Sequence, residues 1–227
     1  MLEGILDYER DAFFFINGNH SYFMDCTMWL FSKTKMWILF YGFLLFALVF
    51  KKKPHEWIPI VVGVALLVLC CDQFSSAVCK PLFTRFRPSK HPEFMDQVRT
   101  IYGYLGGGKY GFISGHATNS FGIAVFASLF MKRKFFTIVL CLWAAIVAVS
   151  RVYLGVHFIS DIVAGAIVGS LIAWGLYSLY RIYEKKMSRR KRFTHYTAPW
   201  ANLSAGVLLG YMVLITALSI PIMSILK

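Results

Sequence analysis

The chain has 227 residues, 58% of them hydrophobic, with a mean hydropathy of +0.59. A water-soluble globular domain carries about 45–50% apolar residues, so this composition excludes an ordinary soluble fold and points to a membrane. Only 15% of residues are charged, yet the formal net charge is +13. The basic residues fall in short runs between long apolar stretches, which fits membrane topology and argues against a nucleic-acid-binding surface.

The N-terminal stretch holds Glu3, Asp7, Glu9, Arg10 and Asp11 ahead of any apolar run, which is not the pattern of a secretory signal peptide. Residues 2–31 mix charges with Phe13, Phe14, Phe15 and Trp29. They predict an interfacial amphipathic helix, with a further span as the alternative. Crossing the ~30 Å hydrocarbon core takes about 20 helical residues, and about six segments qualify. The first runs from Met36 to Phe50, with a start as early as Ser32 if Lys33 and Lys35 reach the interface. The others are Trp57–Val78, Ile113–Met131, Phe135–Tyr153, Phe158–Tyr180 and Leu203–Leu226. The predicted fold is therefore all-α. It is a polytopic membrane helix bundle forming one domain over 1–227, with an interfacial segment 1–31, a transmembrane bundle 32–226 and a long loop 79–112.

Three basic runs punctuate the spans: Lys51-Lys52-Lys53, Lys132-Arg133-Lys134, and a cluster from Lys185 to Arg192. With six spans they share one side, and short Lys/Arg-rich loops stay in the cytoplasm. The loop 79–112, the turn near 154–158 and both chain ends are then expected outside the cytoplasm, as for a bacterial-type inner membrane protein. Of the five cysteines, Cys70 and Cys71 lie in an apolar run and no spacing resembles a zinc site. A Cys26–Cys79 disulfide would need both to face an oxidising compartment, and nothing in the sequence fixes their separation.

Segment 79–112 is unusually cationic for an outer loop, with Lys80, Arg85, Arg87, Lys90, Arg99 and Lys109. Cations kept there against the topology bias suggest a polyanion such as phosphate, or else contact with anionic headgroups. Gly106-Gly107-Gly108-Lys109 and Gly111 precede Ser114-Gly115-His116, which opens an apolar helix. A helix N-terminus offers free N–H groups and a positive dipole end to an anion, and Ser114 also suits a plain N-cap. Further on, Arg151 closes one span while His157 and Asp161 open the next. Four residues apart on a helix, those two share a face. A carboxylate beside an imidazole fixes its tautomer and leaves the other ring nitrogen free. An ionisable pair at membrane depth is a functional hypothesis by default.

Three blocks, Lys80 to Arg87-Pro88, Ser114-Gly115-His116 and Ser150-Arg151 to His157 to Asp161, resemble the motifs of the type 2 phosphatidic acid phosphatase (PAP2) superfamily. That group also contains the vanadium haloperoxidases. Ile113 stands where the family usually has proline. The resemblance implies that His157 attacks phosphorus to form a phosphohistidine, that Asp161 orients and charges its ring, and that His116 protonates the leaving oxygen and then activates water. It implies that Lys80, Arg87 and Arg151 hold the phosphate oxygens, with Ser114 and Gly115 completing the cradle. No metal and no cofactor is expected, because three cations and a helix terminus supply the charge neutralisation that phosphoryl transfer needs. The expected partner is a lipid phosphate from the bilayer, not nucleic acid. Undecaprenyl pyrophosphate and a lipid A phosphate rank above phosphatidylglycerol phosphate and phosphatidic acid, since Arg85, Lys90, Arg99 and Lys109 favour a multiply charged headgroup. A lipid phosphotransferase using the same adduct, a haloperoxidase and a non-enzymatic membrane protein are the alternatives.

Overall fold

The computed structural model describes residues 3–226, whose regular structure is helical, with no strand among the described residues. Two helices open the chain, α1 (Glu3–Gly18) and α2 (Tyr22–Ser32). The N-terminal segment is thus two helices where the sequence predicts one. Asn17, Gly18 and Asn19 supply the break, and Ser21 caps α2 by accepting from the Met24 amide at 3.2 Å. A 3₁₀ turn over Thr34–Trp37 leads into α3 (Ile38–Val49). The α2 stretch and Thr34–Val49 together are apolar enough for one span, bent by 72° at the break.

Pro54 starts α4 (Pro54–Gln73), where a missing N–H costs nothing. Glu56 closes the turn by accepting from the Lys53 amide at 3.0 Å. The helix continues through a π-helical stretch, Phe74–Cys79, into a short α5 (Lys80–Phe83), making one 30-residue span. Next come α6 (Gly115–Met131), α7 (Lys134–Tyr153), α8 (Ile159–Met187), α9 (Ala198–Ala217) and α10 (Ser219–Leu226). The predicted last span is therefore broken at Leu218. Four described helices are long and apolar enough to cross a membrane, and the bent pair makes a fifth. α6, at 17 residues, extends about 26 Å and is central, packed on α4, α7 and α8.

Two contacts position the site. Glycines let α6 and α8 approach closely: a Cβ on Gly165 would lie 2.8 Å from the Ser114 carbonyl, and one on Gly122 would lie 3.3 Å from that of Gly169. The α6 N-terminus therefore sits against the first turn of α8, with the Ser114 amide donating to the Asp161 carbonyl at 3.0 Å. Deeper, Trp37, Phe40 and Trp143 lock α3 to α7, with Phe40 stacked on Trp143 at 4.7 Å. All five cysteines are free, so the conceivable Cys26–Cys79 bond is not formed.

Candidate active site

His157 ends the tight turn between α7 and α8. Its Nδ1 lies 3.1 Å from Asp161 Oδ2, and its Nε2 lies 2.9 Å from Arg87 Nη1. A guanidinium can only donate, so Nε2 carries the lone pair and Nδ1 the proton. The Asp161 carboxylate caps α8 as well, accepting from the Phe158 amide at 3.1 Å. Burial lowers the His157 pKa well below the usual imidazole range, and the Arg87, Arg151 and Lys80 charges add to it. The imidazole is thus held neutral, with its Nε2 lone pair turned toward the cations and accepting from Arg87.

Arg87 comes from an extended segment bridged to Tyr110 through Phe86, with the Arg87 amide on the Lys109 carbonyl at 3.3 Å. The Gly108 carbonyl accepts from Arg87 Nε at 3.2 Å, and the Val156 carbonyl from Nη1 at 3.0 Å. The glycine-rich loop therefore aims the arginine. Gly111 permits its closest approach: a Cβ there would lie 3.0 Å from Asp161 Oδ2.

Arg151, at the end of α7, is held by the Ser32 hydroxyl and by the Tyr104 hydroxyl at 3.0 Å. Burial alone would raise the Tyr104 pKa, but the Arg151 charge and hydrogen bond outweigh it and lower it. Lys80 donates to Ser76 Oγ at 3.1 Å, one turn earlier. His116 Nε2 lies 3.2 Å from the Ser32 carbonyl, an acceptor only, so Nδ1 is left to exchange protons.

His157, Arg87, Arg151, Lys80, Gly115 and His116 all line one cavity of about 850 Å³. Ser114 and Asp161 stand just behind it. Ser114 caps α6, accepting from the Ala117 amide at 3.4 Å. Beyond the polar end, the cavity continues between α3, α4 and α6 along apolar walls that include Leu44, Val64 and Phe126. The cavity thus joins a cationic end to an apolar slot. No group of three or more His, Cys, Asp or Glu side chains suited to a metal ion occurs among the described residues.

Arg85 departs from the sequence-based reading as a cation for the headgroup. It is 1% exposed and faces inward. Its Nη1 donates to Asp161 Oδ1 at 3.0 Å, and its Nη2 pairs with Glu9 from α1. Glu9 also accepts from the Ser160 amide at 2.8 Å. No local sequence signal marks this inward role, because the partner Glu9 lies 76 residues away in the chain. Of the other loop cations, Arg99 lies 3.4 Å from Asp25, Lys90 donates to the Gly108 carbonyl at 2.9 Å, and Lys109 sits 4.9 Å over the Phe86 ring.

A family model described as the PAP2 superfamily matches residues 58–185. A lipid A 4'-phosphatase of Porphyromonas gingivalis is 45% identical over 79% of this chain and 75% of its own length. A second protein of that name, from Bacteroides thetaiotaomicron, is 34% identical over the whole of both chains. Among solved structures, LpxE of Aquifex aeolicus superposes with a TM-score of 0.57 at 20% identity, covering 75% of this chain and 95% of that one. The phosphatidylglycerolphosphate phosphatase of Bacillus subtilis gives 0.60 at 18% identity, covering 84% and 90%.

Proposed function

This chain belongs to the PAP2 superfamily and is a multi-pass membrane lipid phosphatase, and we propose that it removes the 4'-phosphate of lipid A through a phosphohistidine on His157. The observation that carries the mechanism is the pair of contacts on that ring: Asp161 on Nδ1, and a cation on the lone-pair nitrogen Nε2. For Nε2 to reach phosphorus, Arg87 Nη1 gives up this hydrogen bond and transfers it to a phosphate oxygen. In the substrate complex Arg87, Lys80 and Arg151 take the equatorial oxygens, and the N-terminus of α6 at Gly115 adds its dipole.

The Nε2 lone pair attacks phosphorus as the bond from phosphorus to the lipid oxygen breaks. That oxygen takes the Nδ1 proton of a His116 that enters the step as imidazolium, a form the bound phosphate anion favours. Asp161 offsets the positive charge that develops on the His157 ring. Water then gives a proton to His116 and its oxygen attacks the phosphohistidine, which releases phosphate and restores the neutral imidazole. Positioning and fixed charge carry the reaction.

Two relatives that cover most of this chain favour lipid A over undecaprenyl pyrophosphate as the substrate. The basic loops favour an active site on the outer face of a bacterial inner membrane. The test is phosphate release from lipid A by the purified protein in detergent, with chelator present. Release at the 4'-position, resistant to chelator and inhibited by vanadate, supports the reading. Release from undecaprenyl pyrophosphate but not from lipid A contradicts it.

A further inference from the structure

The cavity walls change character in the same order on two helices. On α6 the lining residues run from His116 to Asn119 and Ser120, and only then to Ile123 and Phe126. On the α4 span they run from Lys80 to Ser76 and Asp72, and only then to Val68. At about 1.5 Å per residue, a polar band lies roughly 5–12 Å below the cation layer.

One member of this band has an unmet buried acceptor, and another presents an exposed carboxylate to the cavity. The Asn119 Oδ1 is buried without a hydrogen-bond partner. The Asp72 carboxylate lines the cavity inside a membrane span, and no ion pair to it is formed among the described residues. An ionised carboxylate only accepts hydrogen bonds. A carboxylate at this depth is costly and marks a functional contact by default. It also repels a second phosphate, so the portion of substrate beside it is neutral and donor-bearing.

We propose that Asp72 and Asn119 form a sugar-recognition subsite, accepting hydrogen bonds from hydroxyl or amide N–H groups of an acylated amino sugar whose phosphate sits on the cations above. This rests on the lipid A reading and deepens it. The two acceptors select by chemistry. Immediately below its phosphate, a diacylglycerol backbone offers ester oxygens, which are acceptors, and a polyprenyl chain offers neither donors nor acceptors. Either would leave the buried Asn119 acceptor unmatched and offer Asp72 no donor, which is how a polar site disfavours an analogue that lacks the matching group.

The test compares kcat/KM for lipid A and for phosphatidic acid in wild type, Asn119→Leu and the isosteric Asp72→Asn. Taking the ratio of the two substrates cancels any common loss from folding or phosphate binding. Each variant is expected to lower the lipid A to phosphatidic acid ratio by about 10-fold or more. A ratio that moves less than about twofold in both variants, while wild type cleaves lipid A, overturns the subsite alone. Wild-type protein that releases no phosphate from lipid A overturns the functional reading, and the subsite with it.

Discussion

Arg85 Nη1 lies 3.0 Å from Asp161 Oδ1, on the oxygen opposite the one that faces His157. The carboxylate is thereby clamped from both sides. Through Glu9 the clamp extends to α1, so a helix outside the three motif blocks helps to set His157, the proposed nucleophile. Displacing a reacting group by about 1 Å can cost about 10²-fold in rate. Arg85→Lys keeps the charge but loses the fork that spans Glu9 and Asp161. It is expected to lower kcat by about that factor with a smaller change in KM, and Glu9→Gln to lower it less. Arg85→Lys with a wild-type kcat would show that the clamp is not needed.

His116 is expected to fail differently from His157. General acid–base help is typically worth about 10²–10⁴-fold. His116→Ala should lose that much on a lipid phosphate, whose alcohol leaves poorly, and less in the first step on an aryl phosphate. Stopped-flow and steady-state assays of both substrates check this. Equal losses on the two would remove the proton-donor role.

The depressed pKa of His157 fixes a sign in pH. Burial and the cations Arg87, Arg151 and Lys80 push it down from the ordinary 6.5. The neutral form therefore persists as pH falls through the usual imidazole range, and its protonation begins only below that range. In Arg87→Gln, with one cation gone, the midpoint should rise. Nitrogen NMR of the labelled ring reads both. A wild-type midpoint at or above 6.5 would contradict the electrostatic account.

Topology is open to a direct check. The basic loops 51–53, 132–134 and 185–192 motivate a cytoplasmic assignment for that side. A reporter active only outside the cytoplasm, fused after Lys227, is expected to be active, and the same reporter near Arg190 silent. The reverse pattern would overturn the orientation.

Much of the site was legible because its residues are local pairs or helix ends. His157 and Asp161 share a face at i, i+4, and Ser114 announces the start of α6. Lys80 follows the same logic as the last cation on the α4 span. The partners of the arginines were not legible. Glu9 precedes Arg85 by 76 residues and Ser32 precedes Arg151 by 119. No local period links such distant positions, so Arg85 reads as one more loop cation when in fact it is neutralised. The break between α2 and α3 was hidden for a related reason. Ser32, Lys33 and Lys35 look like the interface end of a span, whereas the chain bends there and Ser32 turns inward to Arg151 and His116.

The central claim is a covalent bond between His157 and phosphorus. Wild-type protein mixed with radiolabelled lipid A phosphate and quenched within milliseconds should carry label that alkali spares and acid removes. His116→Ala should accumulate more of it, because hydrolysis of the adduct is slowed, and His157→Ala should carry none and turn over nothing. Label on His157→Ala protein, or full turnover by that variant, would mean that another residue is the nucleophile.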